Sequence, residues 1–176
     1  IDVNNTHGAF MAVEHLIKHG KNRIGTVTGP LDAAPGRDRK DGYLQALAEY
    51  NFPIDESLIA EADFTEAGGF QAAKQILSSN PDGIFVASDQ MGLGVLEAIR
   101  QKGLRVPEDI AVVGFDDLPP ALYASPQLTT IRQPILRFGI VAVEMLINLI
   151  EEKIQPPQVT IMDVELVERD SCGGKR

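Results

Sequence analysis

The sequence predicts an α/β fold with a parallel sheet covered by helices on both faces. Helical apolar periods alternate with short apolar runs along most of the chain. Two of those runs, GIFVAS (83–88) and IAVVGF (110–115), are almost continuously apolar, as strands buried on both sides must be. A length of 176 residues, 44% of them apolar, suits one domain with a substantial core.

The elements follow in order. In residues 6–19, Phe10, Val13, Leu16 and Ile17 share one helical face, and Gly20 is a natural stop. RIGTVTG (23–29) reads as a strand. Tyr43, Leu47 and Tyr50 mark a helix from about 37 to 50. A weak strand near 57–61 leads to a helix at 66–79 with Phe70, Ala73 and Leu77 on one side. A helix from about 90 to 102, closed by Gly103, separates the two apolar strands. LTTI (128–131) is a short strand, Pro134 opens a strongly apolar helix to about Lys153, and VTIMDVELVERD closes the chain as extended structure. Ile135, Phe138, Val141, Met145, Leu146, Leu149 and Ile150 cover more than one face of that last helix, which therefore asks for more partners than an edge position gives. Gln155, Pro156 and Pro157 form the linker-like stretch.

Composition restricts function. A formal charge of −9, with 16 scattered Lys and Arg, argues against this segment lying on nucleic acid or an anionic membrane. Arg137, Gly139, Glu144 and Asn148 break the apolar run of 135–150, which is no membrane span. The single Cys172 permits no internal disulfide and fits a reducing cytoplasm. The chain opens with Ile1, and a segment of a longer protein is expected.

In an open parallel sheet ligands sit beyond the carboxyl ends of the strands, and these ends are rich in polar side chains. Arg37 and Arg39 follow the first long strand, Asp63 and Phe64 the weak one, Ser88 and Asp89 the third, Asp116 and Asp117 the fourth. Carboxylates accept from vicinal hydroxyls, a guanidinium donates in a fixed fork, and an aromatic face covers a sugar's C–H side, so the set suits a polyol. Plainer readings stand beside this one. Asp89 reads as a helix N-cap and Asp117 as a turn residue, while Arg37 and Arg39 fit a solvated first helical turn.

Enzymatic readings are weaker. His7, His15 and His19 lie in or beside the first helix and read as surface residues; HLIKH lacks the glutamate of a zinc-protease helix. There is no G-x-S-x-G elbow, and adjacent aspartates point apart on an extended chain. GLG (92–94), after a strand and opening a helix, imitates a dinucleotide fingerprint, but Glu97 occupies the third glycine position. No catalytic residue, metal or cofactor is expected.

Taken in order, NNTHGAFMAVEHLIKHGKNRIGTVTGP, RKDGYLQAL (39–47), ADFTEAGG (62–69), ASDQMGLG (87–94), GLRVPEDIAVVGFDDLP (103–119), SPQLTTIRQP (125–134) and ELVERDSC (165–172) resemble the effector-binding core of the lactose/galactose repressor family of bacterial transcription regulators. GPLDAAPGRDR (29–39) and DF (63–64) bring it nearest the ribose- and purine-type branches. The resemblance implies a periplasmic-binding-protein-like core of two subdomains with an effector between them, and a helix-turn-helix headpiece that binds operator DNA. Residues 1–133 would form the C-terminal subdomain, 134–157 a helix of the N-terminal subdomain, and 158–176 a return to the first; headpiece and early core would lie outside this chain. Effector contacts map onto Arg39, Phe64, Ser88, Asp116 and Gln133, with Arg39 donating a bidentate pair, Phe64 stacking and Asp116 accepting from two hydroxyls.

A sugar is the implied effector, ribose or another pentose by branch. The family also implies a homodimer through the helices at 66–79 and 90–102 and the segment 118–128, and GGKR at the end indicates no tetramerising coiled coil. Departures are Lys21, where the family often has His, and Asn4, where it often has Asp. A transport-class sugar-binding protein of the same fold and a nicotinamide-dependent enzyme are the alternatives.

Overall fold

The computed structural model describes residues 1–153 and 159–173. In chain order the elements are β1 (Asp2–Val3), α1 (Asn5–Lys18), β2 (Ile24–Thr28), α2 (Ala34–Glu49), β3 (Ile59–Glu61), α3 (Glu66–Ile76), β4 (Gly83–Val86) and α4 (Asp89–Gln101). Then come β5 (Ala111–Asp116), α5 (Pro119–Tyr123), β6 (Thr129–Arg132), α6 (Ile135–Ile150), β7 (Ile161–Met162) and β8 (Glu165–Val167). A six-stranded sheet runs in the order β3-β2-β4-β5-β6-β8, parallel except for the antiparallel β8. β1 and β7 form a separate parallel pair. The linker-like Gln155, Pro156 and Pro157 lie outside the described residues.

Successive side chains of the central strands feed two cores. Phe85, Val113 and Phe115 pack with Val13, Leu16, Tyr43 and Leu47 of α1 and α2. Ile84, Val86 and Val112 pack with Ala73, Ile76, Val95 and Ile99 of α3 and α4 on the opposite face. This explains the continuous apolar runs: a strand with two covered faces has no polar side to show.

Local signals set the ends. Asn4 Oδ1 accepts from His7 N at 3.1 Å to cap α1, and Gly20 follows its C-terminus at φ +78°. Ser88 Oγ accepts from Met91 N and caps α4, so the expectation that Asp89 is the N-cap fails by one residue.

One further expectation is corrected. His15 is not a surface residue: it is 6% exposed, with Nε2 3.0 Å from Cys172 Sγ. Burial, followed by the neighbouring His19, holds its imidazole below the ordinary histidine range. The GLG glycines, already set aside as a dinucleotide fingerprint, sit inside α4. A Cβ on Gly94 would lie 2.0 Å from the Glu66 carbonyl oxygen, and one on Gly69 would lie 2.3 Å from that of Met91, so these two glycines let α3 and α4 touch backbone to backbone.

α6 has no buried residue; Leu136 is 81% exposed and Ile150 72%. Among the described residues, no helix is long and apolar enough to cross a membrane.

Gly94→Val should force α3 and α4 apart and lower stability by at least the upper end of the ~1–3 kcal/mol typical of overpacking. Gly139→Ala, on α6 with nothing within 4 Å of the added carbon, should be neutral or slightly stabilising. Urea unfolding of the two variants checks both.

Candidate functional site

The sheet order reverses between β2 and β4, the point at which parallel α/β sheets open a crevice at their carboxyl edge. α2, which carries Arg39, crosses from β2 to β3 beside that point. β4 ends next to Ala87 and Ser88, β5 ends at Asp116, and Gln133 follows β6.

Arg39 lies at the centre and is 5% exposed. Its Nε donates to Asn5 Oδ1 at 2.8 Å, and one terminal nitrogen donates to the Ala87 carbonyl at 2.6 Å and to Asp116 Oδ1 at 3.2 Å. The guanidinium stacks 3.7 Å from the Phe115 ring centroid. Gln133 Nε2 donates to the same Asp116 oxygen. Burial raises the Asp116 carboxyl above its usual range, against the pull of the Arg39 charge and the Gln133 amide. The polar groups of the shelf are therefore already oriented, with Asp116 still partly open to solvent.

The remaining expected residues divide. Phe64 follows β3, half-buried, and its ring rests on Gly29 at the end of β2, where a Cβ would fall 2.1 Å from the ring. Ser88 is buried and engaged as the cap of α4. Arg37, weighed with Arg39, turns outward and donates to the carbonyls of Leu31 and Asp32. Asp63 is an exposed turn acceptor for Thr65.

Asp116 and Asp117 do point apart. Asp117 pairs with Arg132 and Arg169, and although burial pushes its carboxyl up, the two guanidinium groups bring it below the usual range. This is the structural role read from its position before Leu118-Pro119-Pro120. Phe64 (φ 62°), Asp116 (φ 119°) and Asp117 (φ 58°) all occupy left-handed backbone at the carboxyl edge. Such conformations cost about 1–3 kcal/mol each in a non-glycine residue and gather at ligand sites.

One residue of the cluster escaped the sequence reading, and another was given the wrong role. Asn5, 2% exposed, holds Arg39; beside the capping Asn4 it carries no distinguishing signal. Asp89 is 0% exposed, with Oδ1 accepting from Thr130 Oγ1 and Oδ2 from Leu118 N, so it ties α4 to β6 and to the turn after Asp117.

Burial, opposed by those two hydrogen bonds, raises the Asp89 pKa to about 7. A raised carboxyl pKa means stability that is full below the unfolded value near 4 and declines as pH climbs to about 7. Asp89→Asn, which reproduces the protonated shape, should flatten the stability profile between pH 4 and 8, whereas Asp89→Ala should cost about 1–3 kcal/mol throughout by orphaning Thr130 and Leu118 N. Thermal melts across that range check both.

Comparison with known proteins identifies the family of this fold. Residues 13–172 match the periplasmic binding protein-like domain family. The chain is 41% identical over 96% of its length to the HTH-type transcriptional repressor PurR of Photorhabdus laumondii subsp. laumondii, and 37% identical over 97% to the HTH-type transcriptional regulator CelR of Thermobifida fusca. It spans about half the length of these curated relatives: 50% of the first and 51% of the second. Among solved structures, a CelR–cellobiose complex superposes with a TM-score of 0.95 at 37% identity, covering 97% of this chain and 53% of that one. The lac repressor dimer bound to operator and the anti-inducer ONPF superposes at 0.89 with 32% identity, covering 97% and 51%. A regulator from Enterococcus faecium with bound ribose also gives 0.89, at 26% identity, covering 99% and 65%. The chain belongs to the periplasmic binding protein-like domain family, and over nearly its whole length it is similar to regulators of the lactose/galactose repressor family.

Proposed function

We propose that the chain is the effector-sensing core of a DNA-binding transcriptional regulator and that it works without catalysis, in the cytoplasm. The observation that carries the reading is the Arg39–Asp116–Gln133 cluster, fixed at the carboxyl edge beside the topological switch point. A vicinal diol replaces the Arg39 and Gln133 donors on Asp116 with its own hydroxyls, and the freed guanidinium and amide donate to the sugar oxygens. Phe64 closes over the C–H face of the ring. Ser88 keeps its capping bond to Met91 N and donates its hydroxyl hydrogen to the effector.

The effector class is a sugar. Cellobiose in the CelR complex and ribose in the Enterococcus faecium regulator support a saccharide, and ribose or another pentose is the first candidate. Residues 1–133 and 158–176 form one subdomain in this reading. α6 (within 134–157) belongs to the other subdomain, whose packing would cover its apolar surface. Sugar binding then favours one subdomain arrangement and operator DNA the other, a population shift with no new contact to DNA. DNA contact is made by a headpiece outside these residues.

A homodimer forms across α3, α4 and the 118–128 segment. That face carries a groove lined by Leu93, Leu96, Leu104 and Val106, with Tyr123 86% exposed at its border. The lac repressor structure is described as a dimer, which supports this assembly.

In thermal melts of the full-length protein against a panel of pentoses, hexoses, disaccharides and purines, one sugar at 100 times its Kd should stabilise the wild type by about 2.7 kcal/mol. Asp116→Ala should remain folded and lose that shift. An unchanged affinity in Asp116→Ala would remove Asp116 from the site, and a shift with a purine alone would overturn the sugar assignment. For the assembly, Tyr123→Asp should move the protein from dimer toward monomer in sedimentation experiments; an unmoved dimer places the interface elsewhere.

A further inference from the structure

At the opposite edge of the sheet, where α1 ends and leads into β2, His15, His19 and Glu168 converge. One ring nitrogen of each histidine and one carboxylate oxygen of Glu168 all lie within 4.8 Å of one another. The histidines stand one helical turn apart, His15 on α1 and His19 at its C-cap, with ring centroids 4.1 Å apart and planes inclined by 41°. Glu168 arrives from the segment that follows β8. His15 is buried and forms the floor; His19 and Glu168 stand at the surface.

Both imidazoles are already oriented. His19 Nδ1 lies 2.8 Å from the His15 carbonyl oxygen. A carbonyl only accepts, so Nδ1 carries the proton and Nε2 presents its lone pair outward. His15 Nε2 meets Cys172 Sγ at 3.0 Å, which leaves Nδ1 as the atom for an ion. A backbone carbonyl on one ring and a thiol on the other act as the outer partners that fix ligand rings in metal sites.

We propose that His15, His19 and Glu168 bind a divalent transition-metal cation of zinc-like chemistry, with a fourth position left to water. Two imidazoles and one carboxylate suit zinc rather than magnesium or calcium, which take oxygen donors. Ligand atoms around tetrahedral zinc stand about 3.4 Å apart, so the cluster closes by small rotations of the two exposed side chains. The spacing in HLIKH excluded a zinc-protease helix because its glutamate is missing; Glu168 supplies the carboxylate from the other end of the chain, without the position of a general base. The ion therefore acts as a clip between α1 and the C-terminal segment.

The test uses metal-stripped full-length protein without a polyhistidine tag, titrated with zinc against a chromophoric chelator. One zinc should bind per chain, and His19→Ala and Glu168→Gln, both at exposed positions, should each weaken it by about ten-fold or more. Zinc should raise the melting temperature of the wild type and not that of His19→Ala. Absence of saturable binding overturns the proposal. So does binding that both variants retain unchanged, or binding lost only in His7→Ala.

Discussion

The carboxyl edge of this protein is organised by a positive charge that has been taken out of water. Removing a guanidinium from solvent costs several kcal/mol unless its donors are matched. Those of Arg39 are met from parts of the chain far apart in sequence: Asn5 in the first turn of α1, Ala87 just after β4, and Asp116 at the end of β5. The ring of Phe115 supports it from beneath. Shifting any of these elements leaves a buried charge short of a partner. The packing of α1 and α2 against the sheet and the geometry of the ligand shelf are thus one condition.

Beside that charge, two consecutive carboxylates do different work. Asp116 turns toward the crevice and remains partly open, whereas Asp117 turns toward Arg132 and Arg169 and fastens β5 to β6 and the C-terminal segment. Both stand in left-handed backbone, a conformation that only a well-tied turn maintains in aspartate. The two ion pairs of Asp117, with the hydrogen bond from Leu118 N to Asp89, supply the tie.

Most of the architecture was legible because its cause is local. Strand-length apolar runs, helical periods and stop glycines gave every helix of the main layers to within a few residues; the strand ends gave Arg39 and Asp116, the family resemblance added Gln133, and the structure brings the three together. Two readings failed where the decisive partner is remote in sequence. His15 looks like surface until Cys172 arrives to cover it. Asp89 looks like a cap because its true partners, Thr130 and Leu118, lie in elements that no local pattern connects to α4.

The two margins of the six-stranded sheet, β3 and β8, are each only three residues long. A strand that short offers little template for another chain to extend, so cross-strand polymerisation has almost no purchase on this domain. The large uncovered apolar area is helical and belongs to α6. The surface that invites self-association is therefore a helical one, where contact proceeds by side-chain packing rather than by strand addition.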